Sequence, residues 1–268
     1  MGFFFEAVGN SKSKAYTAAS FATSGLNGLW DPAHPQGFSP GVFHDVSGHP
    51  QAPGHSIYIY YNNAFTENET LQYDNGVPYI NLNNSANQYS NYYDGKFGFM
   101  NGYYYGTNDT FYTVNRKDFT WEFWIKLAGT NSSDNNIVSN FNEAFRFRIS
   151  GGNGSIAFIT GMSAFNAGTN TVGAWENWTI TMENLGTNDA CRMYKNGTLV
   201  GSRLTGNYNP TNTASWASAH YFGTFNGGAS NGEYARSLRI GLIRSYSRAL
   251  TSTEVSNNWT NTKSRFGL

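Results

Sequence analysis

Residues 119–127 read Phe-Thr-Trp-Glu-Phe-Trp-Ile-Lys-Leu. Phe119, Trp121, Phe123, Ile125 and Leu127 fall on one side of an extended chain; Thr120, Glu122 and Lys126 fall on the other, joined by Trp124. Period-two alternation of this kind predicts a half-buried β-strand, because successive strand side chains point to opposite faces. The pattern repeats toward the C-terminus. Strands are expected at residues 136–141, 145–150, 155–160, 178–183, 191–194, 198–202 and 237–246. Gly151-Gly152-Asn153-Gly154 and Lys195-Asn196-Gly197 supply hairpin turns.

Toward the N-terminus the signal thins. Strands are expected at 56–61, 77–82 and 97–105, each bounded by polar turn residues. Residues 25–55 hold five of the seven prolines and read as loop-rich, since proline cannot sit inside a central strand. Residues 1–25 carry little periodicity and read as an arm or an added edge strand, leaving 26–268 as one domain. Only residues 251–263 look helical, with Thr251 and Glu254 as a capping box and Val255 and Trp259 four apart. About a dozen strands and one short helix make an all-β sandwich.

Composition agrees. The chain has 268 residues, 17% of them aromatic and 13% charged, with 30 Gly and 34 Asn. Aromatic strands joined by small polar loops are sandwich chemistry, and this length buries a core without staples. The 17 cations balance the 17 anions, which argues against a phosphate-driven nucleic-acid binder. The single cysteine, Cys191, excludes an internal disulfide and a thiolate zinc site. No apolar run reaches the ~18 residues of a spanning helix, and Glu6 cuts short the apolar start, so neither membrane insertion nor a signal peptide is expected.

Three stretches together resemble the concanavalin A-like, laminin-G-like family in the concise form found in many phage virion proteins. FTWEFWIKL, followed by NIVSNF and FRFRIS, is similar to that family's opening strand and its successors. WENWTITMENLGTNDACRMYKNGTLVG resembles its Trp, strand and Tyr-x-Asn-Gly hairpin, here Tyr194, Asn196 and Gly197. RIGLIRSYSRALTSTEVSNNWTNTKSRFG resembles the closing strand, the corner at Tyr246, Arg248, Ala249 and Leu250, and the helix before an Arg-Phe-Gly end. LWDPAHPQGFSP and the turn at Asp45, Ser47 and Gly48 match more loosely.

The resemblance implies a concanavalin A-like jelly roll of two antiparallel sheets with one short C-terminal helix. It also implies a non-enzymatic virion protein, made in the host cytoplasm and displayed on the particle. Capsid decoration is the first expectation, with the major capsid protein and other virion proteins as partners and a trimer among the oligomers left open. The alternative is a receptor- or glycan-binding module of a tail or fibre tip, with a cell-surface glycan as partner.

Site residues follow from chemistry and from the same resemblance. Retaining hydrolysis needs two carboxylates about 5–5.5 Å apart. Glu67 and Glu69 come nearest to such a cluster and sit in a polar stretch, so no catalytic residue is expected. The resemblance implies calcium held by loop carboxylates, but Gly98 and Gly102 stand where acids would be. Asp45 and Asp94 remain as weak metal candidates against turn capping, and no cofactor beyond a possible Ca²⁺ is expected. His34, His44, His49 and His55 cluster without a known ligand spacing. Cys191 reads as a buried, inert thiol. Tyr103, Tyr104, Tyr105 and Trp216 are candidates for stacking on sugar rings, and Phe3, Phe4 and Phe5 for attachment to a particle.

Overall fold

The stretch at 119–127 forms the central strand of an antiparallel sheet in a computed structural model of the chain. The structure describes residues 20–39, 42–48, 57–61, 64–65, 71–82, 97–99, 118–129, 135–140, 145–149, 155–160, 163–185, 188–206, 220–222 and 238–268. The first nine strands are β1 (Leu26–Trp30), β2 (Phe38–Ser39), β3 (Val42–Phe43), β4 (Ile57–Tyr61), β5 (Ala64–Phe65), β6 (Gln72–Asp74), β7 (Val77–Leu82), β8 (Phe97–Phe99) and β9 (Phe119–Leu127). The others are β10 (Asn135–Asn140), β11 (Phe145–Ile149), β12 (Ser155–Thr160), β13 (Ser163–Thr169), β14 (Trp175–Asn184), β15 (Asn188–Lys195), β16 (Thr198–Gly206), β17 (His220–Phe222) and β18 (Leu238–Tyr246). Helix α1 (Ser252–Thr262) and a 3₁₀ turn (Lys263–Phe266) close the chain.

Two sheets result. One runs β16-β15-β14-β9-β18-β7-β6, with β1 also on β18; the other runs β13-β12-β11-β10-β17-β8-β4-β3-β2, with β5 on β4. Register places Phe123 opposite Trp178 on one side and Ile243 on the other. The core lies between the sheets. Trp121, Phe123, Ile125, Trp178, Ile180 and Met193 from the first sheet meet Phe43, Ile137, Phe147 and Ile149 from the second.

The expectation of a half-buried β9 needs correcting: Thr120, Glu122 and Trp124 are buried too. The C-terminal segment is the reason. It lies across the outer face, and Phe266 stacks on Trp124 with ring centroids 4.1 Å apart. Residues 25–55 also need correcting, since three short strands thread through them while Pro32 and Pro35 fall between β1 and β2. Strands missed by the sequence reading are short or polar, such as β6 and β13. The β6–β7 hairpin turns on Asn75 and Gly76, both left-handed (φ 51° and 83°), as two-residue hairpins prefer.

The capping box is present, with Thr251 accepting from the Glu254 N–H and Glu254 accepting from the Thr251 N–H. The buried stripe of α1 is Val255, Asn258 and Thr262, whereas Trp259 is half-buried beside the Asn196-Gly197 turn. Residues 20–24, which the sequence reading put in the arm, are tied to this region. Asn261 donates to the Ser20 carbonyl, the Ala22 N–H to Asn258 and Arg248 to the Ser24 carbonyl.

The two N–H groups of Arg248, with the Thr251 cap, hold the Glu254 carboxyl at about 2, below its ordinary 4.5. A depressed acid stabilises fully above 4.5, and that contribution is lost as pH falls toward 2. Because the pair is partly exposed, solvent screening limits it to about 1 kcal/mol. Glu254→Gln should therefore melt below wild type at pH 7 and show a flatter acid limb, read from melting curves across that range. Parallel acid limbs would sink this assignment.

Candidate functional site

Two carboxylates are buried in the first sheet, and both are occupied. Glu122 Oε1 accepts from Arg244 Nη1 at 2.8 Å and Asn177 Nδ2 at 3.0 Å, and Oε2 accepts from Asn258 Nδ2 at 2.9 Å. Arg244 also donates to Thr262, and Asn258 to the Tyr246 hydroxyl. At one rim of the sandwich Glu176 accepts from Asn170, the Thr171 N–H and the Trp178 indole. It also pairs with Lys195 at 2.8 Å. A carboxylate whose lone pairs are taken by three or four donors has little left to accept a substrate's proton. These groups tie elements together.

The third carboxylate is different. Asp74 ends β6 and faces a cleft of about 320 Å³ between the β6–β7 hairpin, the turn before β14 and the C-terminal 3₁₀ turn. Asp74 Oδ2 accepts from Lys126 Nζ at 2.5 Å and Trp175 Nε1 at 3.1 Å, with Arg239 at 3.4 Å. Burial pushes this carboxyl up, but the Lys126 ammonium, Arg239 and the Trp175 N–H outweigh it and hold it below the ordinary value. Asn75 and Ser264 also line the cleft. Arg265 on the far wall is held by Asp31 at 2.6 Å.

Of the expected site residues, Asp45 is described. Its Oδ1 accepts from the Leu29 N–H at 2.9 Å and the Ser47 N–H at 2.8 Å, which is turn capping that pins β1. Among the described residues, no three His, Cys, Asp or Glu side chains converge as a metal site. His34 accepts from the Gln36 N–H and His44 pairs with Ser39, its pKa lowered by burial. Burial pushes the Cys191 thiol up to about 12, in keeping with an inert group. Phe3, Phe4, Phe5, His49, His55, Glu67, Glu69, Asp94, Tyr103, Tyr104, Tyr105 and Trp216 lie outside the described residues. The cleft residues were missed, although the Asn75-Gly76 pair was a visible hairpin signal.

Two antiparallel sheets closed by a capped C-terminal helix define a jelly-roll β-sandwich. The chain belongs to the concanavalin A-like lectin/glucanases superfamily, whose laminin-G-type family model matches residues 99–256. Among solved structures it is similar to a botulinum neurotoxin type C domain, whose passage into cells depends upon interaction with two ganglioside molecules. There the identity is 11% and the TM-score 0.56, over 89% of this chain and 51% of that one. It is also similar to the binding domain of Paraclostridial Mosquitocidal Protein 1 (15%, 0.54, 88% and 52%) and to Trypanosoma rangeli sialidase (12%, 0.51, 90% and 33%). The chain spans about half the length of the toxin domains it matches. No curated protein matches the sequence.

Proposed function

We propose that this chain is a non-enzymatic binding module of a phage particle, displayed on the capsid as a decoration protein. The observation that carries the non-enzymatic part is the use of Glu122 and Glu176 as saturated structural ties. The phage assignment is supported by the closing motif. Tyr246, Arg248 and Leu250 form the corner that seats α1, and Arg265 returns to Asp31. In this reading the N-terminal arm provides attachment through Phe3, Phe4 and Phe5, each worth about 1.5–3 kcal/mol if buried on the partner. The second reading, a receptor- or glycan-binding module of a tail or fibre tip, draws support from the toxin binding domains that share the fold.

Mass spectrometry of heads and tails separated from purified particles tests both. Decoration expects the chain in heads, and its loss from them when residues 2–19 are deleted. Recovery in tails alone would replace the first reading with the second, and absence from particles would overturn both. The purified chain should release no reducing sugar from laminarin, agarose or alginate. Release would end the non-enzymatic assignment.

A further inference from the structure

We propose that the chain self-associates through β16, which pairs edge to edge with β16 of a second copy so that the first sheet runs on across a twofold axis at Ser202. β16 ends the order of that sheet: it pairs with β15 on one side, and no other described strand pairs with its outer edge. β13 approaches it from the second sheet without pairing. Self-association goes beyond the particle role proposed above and does not rest on it.

A single edge offers a row of backbone donors and acceptors to any other strand, and edges that stay single are commonly blunted by shortness, lysine or proline. β16 has none of these: it is nine residues long, Thr198–Gly206, and Arg203 is its one charge. Thr198, Leu199, Val200, Ser202, Arg203 and Leu204 are all exposed. Leu204 is 64% exposed, Leu199 49% and Val200 41%, so apolar surface meets water along the strand. A bulge at Val200 interrupts the ladder to β15, but from Gly201 to Gly206 the register is unbroken. The bulge also gathers the leucines. Leu199 lies opposite Tyr194, Ser202 opposite Arg192 and Leu204 opposite Ala190, which places all three on the outer face, where Tyr194 packs under α1. Without the extra residue, positions 199 and 204 would fall on opposite faces.

Symmetry and charge select the occupant and its register. Two copies of one strand meet antiparallel about an axis perpendicular to the sheet, so every residue keeps its face and the axis passes through a residue position. An axis at Arg203 would set that residue against its own copy, and like charges directly opposite destabilise a sheet. An axis at Leu204 would leave Leu199 and Val200 past the end of the other copy's strand. At Ser202 the match is complementary: Arg203 lies opposite Gly201 of the second copy, and Leu204 opposite its Val200, beside its Leu199. The leucines of both copies then flank the axis on one face.

Sedimentation velocity of the full chain over a wide concentration range should show a monomer–dimer equilibrium. Leu204→Lys puts a charge on the edge at an exposed position, so it should melt as wild type does while weakening the dimer at least about tenfold. Cross-linking reads the register. Ser202→Cys sits on the axis, where facing Cα atoms are about 4.5–5.5 Å apart and within disulfide reach. Leu204→Cys, on the same face, lies about 13 Å from its copy at a strand's rise per residue and should not cross-link. Native Cys191 is buried and does not compete. A dimer that L204K weakens and that S202C locks under mild oxidation supports the proposal. A monomer at every concentration, a trimer, an L204K dimer as tight as wild type, or cross-linking of L204C ahead of S202C would overturn it.

Discussion

Replacing Glu122 with leucine should destabilise the fold by about 3–5 kcal/mol, the cost of leaving the other member of a buried ion pair uncompensated. Glu122 and Arg244 are 1% and 3% exposed at their side chains. Removing the carboxylate strands Arg244 in the sheet and deprives Asn177 and Asn258 of their acceptor. At about 2–4 °C per kcal/mol for a chain of this size, the melting temperature should fall by more than about 6 °C. Arg244→Leu should cost a similar amount. The double variant should cost less than the sum, because neither charge then lacks its partner. An E122L protein melting within about a degree of wild type would show that the tie under α1 carries no stability.

How much of this was legible follows from where each partner lies. β9 and the capping box were readable because their signals are local, in alternating positions 119–127 and in Thr251 with Glu254. Glu122 looked like a solvent-facing residue because alternation assigns faces but does not say what covers them. Its cover, Asn258, comes from 136 residues away. Val255 and Trp259 were readable as an i, i+4 pair, and Val255 is indeed buried. The stripe instead centres on the polar Asn258, whose amide is satisfied by Glu122 and Tyr246. The cleft draws on positions near 74, 126, 175 and 264, so no spacing rule could assemble it. Trp175 lines the cleft and donates its indole N–H to Asp74.

Phe266→Ala should cost about 3–5 kcal/mol, as for other buried aromatic truncations. Phe266 is 4% exposed, stacks at 4.1 Å on Trp124 and tilts against Trp175 at 5.1 Å. The Trp124 indole N–H has no hydrogen-bond partner among the described residues, so packing alone must favour its burial. Gly241 makes room for the ring, since a Cβ there would come within 2.5 Å of Phe266 Cε1. Gly241→Leu should therefore push Phe266 out of its seat and cost a comparable amount through overpacking. Both substitutions remove the same contact, so the double variant should lose little more than the worse single one. Denaturant midpoints of the four proteins measure this directly. Strict additivity would mean that Gly241 and Phe266 act separately. A wild-type midpoint for F266A would mean that the outer face of the sheet does not depend on the C-terminal ring, and that the wall it gives the cleft is dispensable.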